Sequence, residues 1–133
     1  MRQQLWPRAR RRLGFERFRG VELSAPSLMW VEATSALHAM RWRGELTTEQ
    51  PETMRDRILN APVQAVAGND VPLEAWKVAD ELGWAKTYIA QYVALAGILG
   101  CRLVTLDGRL RGGAACLGFV IGAAEMKRLR RRR

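Results

Sequence analysis

Histidine is nearly missing from this chain of 133 residues, with His38 as the single one, and cysteine is limited to Cys101 and Cys116. The two cysteines form no CxxC pair and have no neighbouring His or Cys cluster. That argues against a structural zinc site and against a disulfide-stapled secreted scaffold. Long apolar runs are missing too. The longest weakly polar stretch, Ile89 to Cys101, contains Gln91 and two glycines, and falls short of the roughly 20 residues that span a bilayer. The basic N-terminus is followed by no uninterrupted apolar segment, so no signal peptide is read and a cytoplasmic protein is expected. What remains is ordinary globular composition, 48% hydrophobic and 26% charged, in a length suited to one domain.

Acidic residues are almost absent from the two ends. Residues 1–19 hold seven arginines against Glu16, and residues 127–133 hold Lys127 and five arginines with no acid. The formal charge of +9 therefore belongs to the ends, while the body between them is mildly acidic. Clustered arginine attracts polyanions through phosphate neutralisation, in a salt-dependent and sequence-blind way. The same segments also read as solvated tails. The boundaries that follow are a basic N-terminal segment over 1–19, a folded domain over 20–126 and a basic tail over 127–133.

The middle alternates strand and helix patterns. Val21-Glu22-Leu23 predicts a short strand, and Ser24-Ala25-Pro26-Ser27 supplies N-cap chemistry for a helix over about 27–42 that stops at Gly44. A second helix is predicted over about 48–59, with Pro51 in its first turn. A strand over 63–67 and a helix over 72–82 follow, the latter closing at Gly83. The nearly all-apolar segment 87–99 predicts an interior helix, 101–106 a strand, 108–115 a short turn or helix, and 118–121 a last short strand. Alternation of this kind predicts an α/β fold of three layers, α/β/α, with a mainly parallel sheet.

Ligands of such sheets collect beyond the carboxyl ends of the strands. Asp107 falls there, after Arg102-Leu-Val-Thr-Leu106 and before Gly108. Glu32 is the second conspicuous acid, set among Trp30, Val31, Ala33 and Ala36, where an ionised carboxylate needs a partner. Two carboxylates brought together at strand ends suit a hard divalent cation with oxygen ligands. The plainer alternatives are an Arg-paired surface residue for Glu32 and a turn-capping aspartate for Asp107. Thr105 shares a strand side with the chain position of Asp107 and is a candidate polar neighbour, or equally a buried β-branched strand residue. Arg109 and Arg111 are candidate contacts to phosphate groups, or equally residues of a solvated turn. His38 has no Ser or Cys arrangement to make it a general base. The two cysteines read as small buried hydrophobes, and the five tryptophans, Trp6, Trp30, Trp42, Trp76 and Trp84, as packing residues.

Three stretches resemble the PIN-domain family, specifically toxin ribonucleases of the VapC type. The first is Ala25-Pro-Ser-Leu-Met-Trp-Val-Glu32-Ala-Thr-Ser-Ala-Leu37 with Arg43-Gly-Glu-Leu46. The second is Tyr88-Ile-Ala-Gln-Tyr-Val-Ala-Leu-Ala96 with Leu99-Gly-Cys101. The third is Leu103-Val-Thr-Leu-Asp107-Gly-Arg-Leu110, trailed by Leu117-Gly-Phe-Val-Ile-Gly122. Together they cover roughly residues 21–122. The resemblance implies a PIN-like fold and hydrolysis of RNA phosphodiesters with Mg²⁺ or Mn²⁺, in which Glu32 and Asp107 act as metal ligands and catalytic acids. It also implies a VapB-like antitoxin and a second copy of the chain as partners, and no membrane.

The chain departs from the family pattern at two acidic positions. Ile89 stands where the family carries an Asp, and no apolar strand ending in Asp is read within residues 1–19. The expectation is thus a sheet without its opening strand, completed by the N-terminal segment, a second copy or a partner, or a chain truncated or shifted at its start. The alternative function is a PIN homologue that no longer cuts and instead binds protein or RNA.

Overall fold

The computed structural model describes the backbone of residues 2–5 and then residues 21–46, 50–105, 107–122, 124–126 and 128. Five parallel strands form one sheet in the order β3-β2-β1-β4-β5. They are β1 (Arg2–Leu5), β2 (Glu22–Pro26), β3 (Gln64–Val66), β4 (Arg102–Thr105) and β5 (Val120–Gly122). The helices are α1 (Leu28–Trp42), α2 (Pro51–Leu59), α3 (Asp70–Leu82), α4 (Tyr88–Leu99) and α5 (Gly108–Gly113). A single 3-10 turn follows over Ala115–Leu117. Among the described residues no helix is long and apolar enough to cross a membrane.

Of the expected ways of completing the sheet, the N-terminal segment is the one the structure shows: it supplies β1, at the centre of the sheet, which also corrects the reading of no strand within residues 1–19. Gln3 pairs with Leu23 of β2 on one side and with Arg102 of β4 on the other. Arg-Gln-Gln-Leu carries no strand-like alternation, which is why the residues gave no sign of it. A central strand is held by backbone N–H and C=O groups on both edges, and those groups are the same whatever the side chains. The boundary drawn at residue 20 therefore does not mark where the sheet begins. Residues 6–20, with Glu16 and six of the N-terminal arginines, lie outside the described residues.

Helices cover the sheet on both faces. α4 packs across β2, β1 and β4, and α3 stacks on α4 as an antiparallel hairpin. Ala75 and Ala79 of α3 meet Ala90 and Ala94 of α4, and these small side chains let the helices approach closely. Gly83 and Gly100 end the two helices in the left-handed conformation, at φ of 69° and 62°, which favours glycine over residues with a Cβ. Alternation along β4 sorts the faces. Leu103 joins Tyr92, Val93 and Ala96 of α4, whereas Val104 joins Leu23, Ile121 and Met126 on the opposite side.

Several expectations shift at the element ends. Ser24-Ala-Pro26 belongs to β2 and not to a cap, and Ser27 takes the N-cap position of α1 without a side-chain hydrogen bond. α3 begins two residues before Pro72, at Asp70. α4 is interior along one side only: Ala90 and Tyr92 to Ala96 are buried, but Tyr88, Ile89 and Ile98 are exposed. Cys101 is buried as expected, whereas Cys116 is exposed in the 3-10 turn. Trp42 and Trp76 are exposed and not packed, at 85% and 67% of their full area. His38 is exposed, and Trp6 lies outside the described residues.

Candidate functional site at the carboxyl edge of the sheet

The order β3-β2-β1-β4-β5 runs outward from β1 in both directions, so the chain reverses between β1 and β4. In an open parallel sheet the crevice beyond the strand ends at such a reversal is where ligands sit. Asp107 and Glu32 both belong to this edge. Asp107 follows the last residue of β4 by two positions, and Glu32 lies in the second turn of the helix that β2 feeds.

Asp107 is held firmly. Its backbone N–H donates to Thr105 Oγ1 at 3.0 Å, and its Oδ1 accepts from the N–H groups of Arg109 and Leu110 at 2.9 and 3.4 Å. It is the N-cap of α5 in an extended backbone conformation. One carboxylate oxygen thus satisfies the helix start, and Oδ2 remains for other chemistry. Thr105 is buried, at 2% exposure, and its hydroxyl orients the turn that carries Asp107.

Glu32 is half-buried, and its Oε1 has no hydrogen-bond partner among the described residues. Burial pushes its carboxyl above the ordinary range. Among the described residues the other buried side-chain polar atom without a partner is Ser24 Oγ, on the strand that leads into α1. Glu32 acts on Tyr92 of α4: burial first, and then the Glu32 charge, hold the phenol well above its usual value. Tyr92 is therefore a neighbour of the site that sequence reasoning did not single out. The signal available was a phenol in the middle of an otherwise aliphatic buried stretch.

The structure brings Thr105 and Asp107 together through the Asp107 N–H to Thr105 Oγ1 hydrogen bond. Among the described residues no group of three or more His, Cys, Asp or Glu gathers to hold a metal ion. Ile89 is on the surface of α4. Arg109 is exposed beside the cap. Arg111, one turn after Asp107, forms an ion pair with Glu125.

Glu32 Oε1, without a partner among the described residues, and Asp107 Oδ2, which takes no part in the α5 cap, are oxygen ligands that fit a hard divalent cation, which would keep most of its own water ligands. An unpartnered buried carboxylate oxygen is costly unless a cation or donor faces it, and this is the observation in favour.

Fold and edge together define a parallel three-layer α/β protein with acidic side chains beyond its strand ends. No family model and no curated protein matches the chain. Among solved structures it is similar to PAE2754 from Pyrobaculum aerophilum, with a TM-score of 0.71 at 19% identity over 95% of this chain and 93% of that one. At this identity the likeness shows the fold alone.

Proposed function

We propose that this chain is a PIN-type, metal-dependent endoribonuclease, the toxin of a VapBC-type pair. The observation that carries the reading is the unpartnered, half-buried Glu32 oxygen at the same sheet edge as the fixed carboxylate of Asp107. Glu32 and Asp107 are the residues that would hold Mg²⁺ or Mn²⁺. When bound, the cation supplies charge for the phosphate and a more acidic water. The chain's own residues do the rest. Thr105 fixes the backbone of Asp107, so that its carboxylate needs no reorganisation when substrate arrives. Partial burial of Glu32 lowers the local dielectric and strengthens any charge interaction made there. Arg109 and Arg111 meet the RNA backbone. In the same reading the partners are a VapB-like antitoxin and a second copy of the chain, in the cytoplasm.

The test is cleavage of single-stranded RNA by purified protein titrated with Mg²⁺ and Mn²⁺, beside Asp107→Asn and Glu32→Gln. Cleavage is expected to need metal and to fall about a hundredfold or more in either variant. Equal activity in all three proteins would defeat the assignment.

A second reading has its own observation. Asp107 Oδ1 is taken by α5, Ile89 adds no charge, and among the described residues no three His, Cys, Asp or Glu side chains gather to hold a metal ion. These features favour a homologue that binds RNA or protein without cutting. Well-folded protein that binds RNA yet leaves it intact at millimolar metal would establish it.

A further inference from the structure

Beyond the two carboxylates, the carboxyl edge carries a second arrangement built around Arg111. β4 and β5 end together, with Thr105 in register with Gly122. Gly122 has no side chain, and the Arg111 guanidinium lies over it: a Cβ built there would meet Arg111 Nη1 at 3.2 Å and Glu125 Oε1 at 3.8 Å. Arg111 Nη2 donates to Glu125 Oε1. Thr105 in turn accepts from the Asp107 N–H. Asp107, Thr105, Gly122, Arg111 and Glu125 thus form one continuous run across the ends of the last two strands.

A guanidinium fork recognises carboxylate and phosphate with the same planar donors. That of Arg111 lies over a bare glycine at the end of β5, one turn of α5 after Asp107. The pair is solvent-accessible, with the Arg111 side chain 54% exposed and that of Glu125 29% exposed. Exposed ion pairs of this kind are weak and exchange readily for another anion. We propose that Arg111 is a phosphodiester-binding residue, and that Glu125 occupies its guanidinium in the empty protein and is displaced by the substrate phosphate. The proposal rests on the nucleic-acid-binding part of the function proposed above and not on cleavage.

The carboxylate is an internal competitor, so its removal tightens binding while leaving the rest of the surface intact. Glu125→Gln keeps size and hydrogen-bonding capacity and removes only the charge. The measurement is fluorescence anisotropy of a labelled oligouridylate with the full chain in EDTA, over a series of salt concentrations. Wild type, Glu125→Gln, Arg111→Gln and the double variant are compared, with circular dichroism confirming that each is folded. Glu125→Gln is expected to bind up to about fivefold tighter, the equivalent of one surface ion pair. Its plot of log affinity against log salt should keep the wild-type slope, since Arg111 meets the phosphate in both proteins, whereas that of Arg111→Gln should flatten by about 0.7, the value of one phosphate contact on a single strand. Arg111→Gln should bind more weakly than wild type, and the gain from Glu125→Gln should vanish in the double variant. No gain in Glu125→Gln would overturn the proposal. So would a gain that persists in full without Arg111, since that is general charge removal. Because metal is absent, failure of the nuclease reading shows in the cleavage assay and not here.

Discussion

Glu32 is a half-buried carboxylate, and its pH dependence follows from that placement. Its folded value is raised above the ordinary 4.5 by burial, so the folded state binds its proton more tightly than the unfolded chain. Below pH 4.5 both states are protonated and the penalty is absent; it grows as pH rises through the raised value and is full beyond it. Thermal melting of Glu32→Gln against wild type should therefore show the variant more stable by a few degrees at neutral pH, with the gap closing in acid. Asp107 has a different duty. Asp107→Ala should cost about 1 kcal/mol in urea unfolding through loss of the α5 cap, whereas Asp107→Asn, itself a good cap, should retain most of that stability. That contrast makes Asn the proper variant for cleavage. Both acids were legible in the sequence, Glu32 by its apolar surroundings and Asp107 by its position after a strand. Glu125 was not, because its contact with Arg111 crosses fourteen positions of chain and has no local periodicity to announce it.

At the scale of elements, α2 and α4 are opposites. α2 buries no residue and touches chiefly α1, with an exposed Arg41–Glu52 ion pair between them. α4 buries six residues against three central strands and α3. Local opening free energy follows buried apolar contact. Amide hydrogen exchange should accordingly release α2 well before α4, whose protection should approach that of global unfolding; equal protection of both would contradict the packing. The long helices and their glycine stops were legible because amphipathic spacing and left-handed C-caps are local signals. β1 was not legible, since its identity comes from two neighbouring ladders and not from its own side chains. Burial on α4 was overread for a related reason: an all-apolar helix shows no preferred face until its partners are known.

For the molecule as a whole, charge and topology divide the chain differently. By charge it is a mildly acidic body between basic ends, a division plain in the sequence. By topology it is two half-sheets, β2 with β3 and β4 with β5, joined through β1 alone. Leu5 is in register with Val104, so about three quarters of the chain lies between the two sides of that junction. Such pairing is slow to form, because the loop must close before its contacts repay the lost entropy. During synthesis, residues 2–5 leave the ribosome long before their second neighbour exists. Until β4 arrives, β1 has one edge open, and any protein that offers a strand during that interval competes with the chain's own later half for the middle of its sheet.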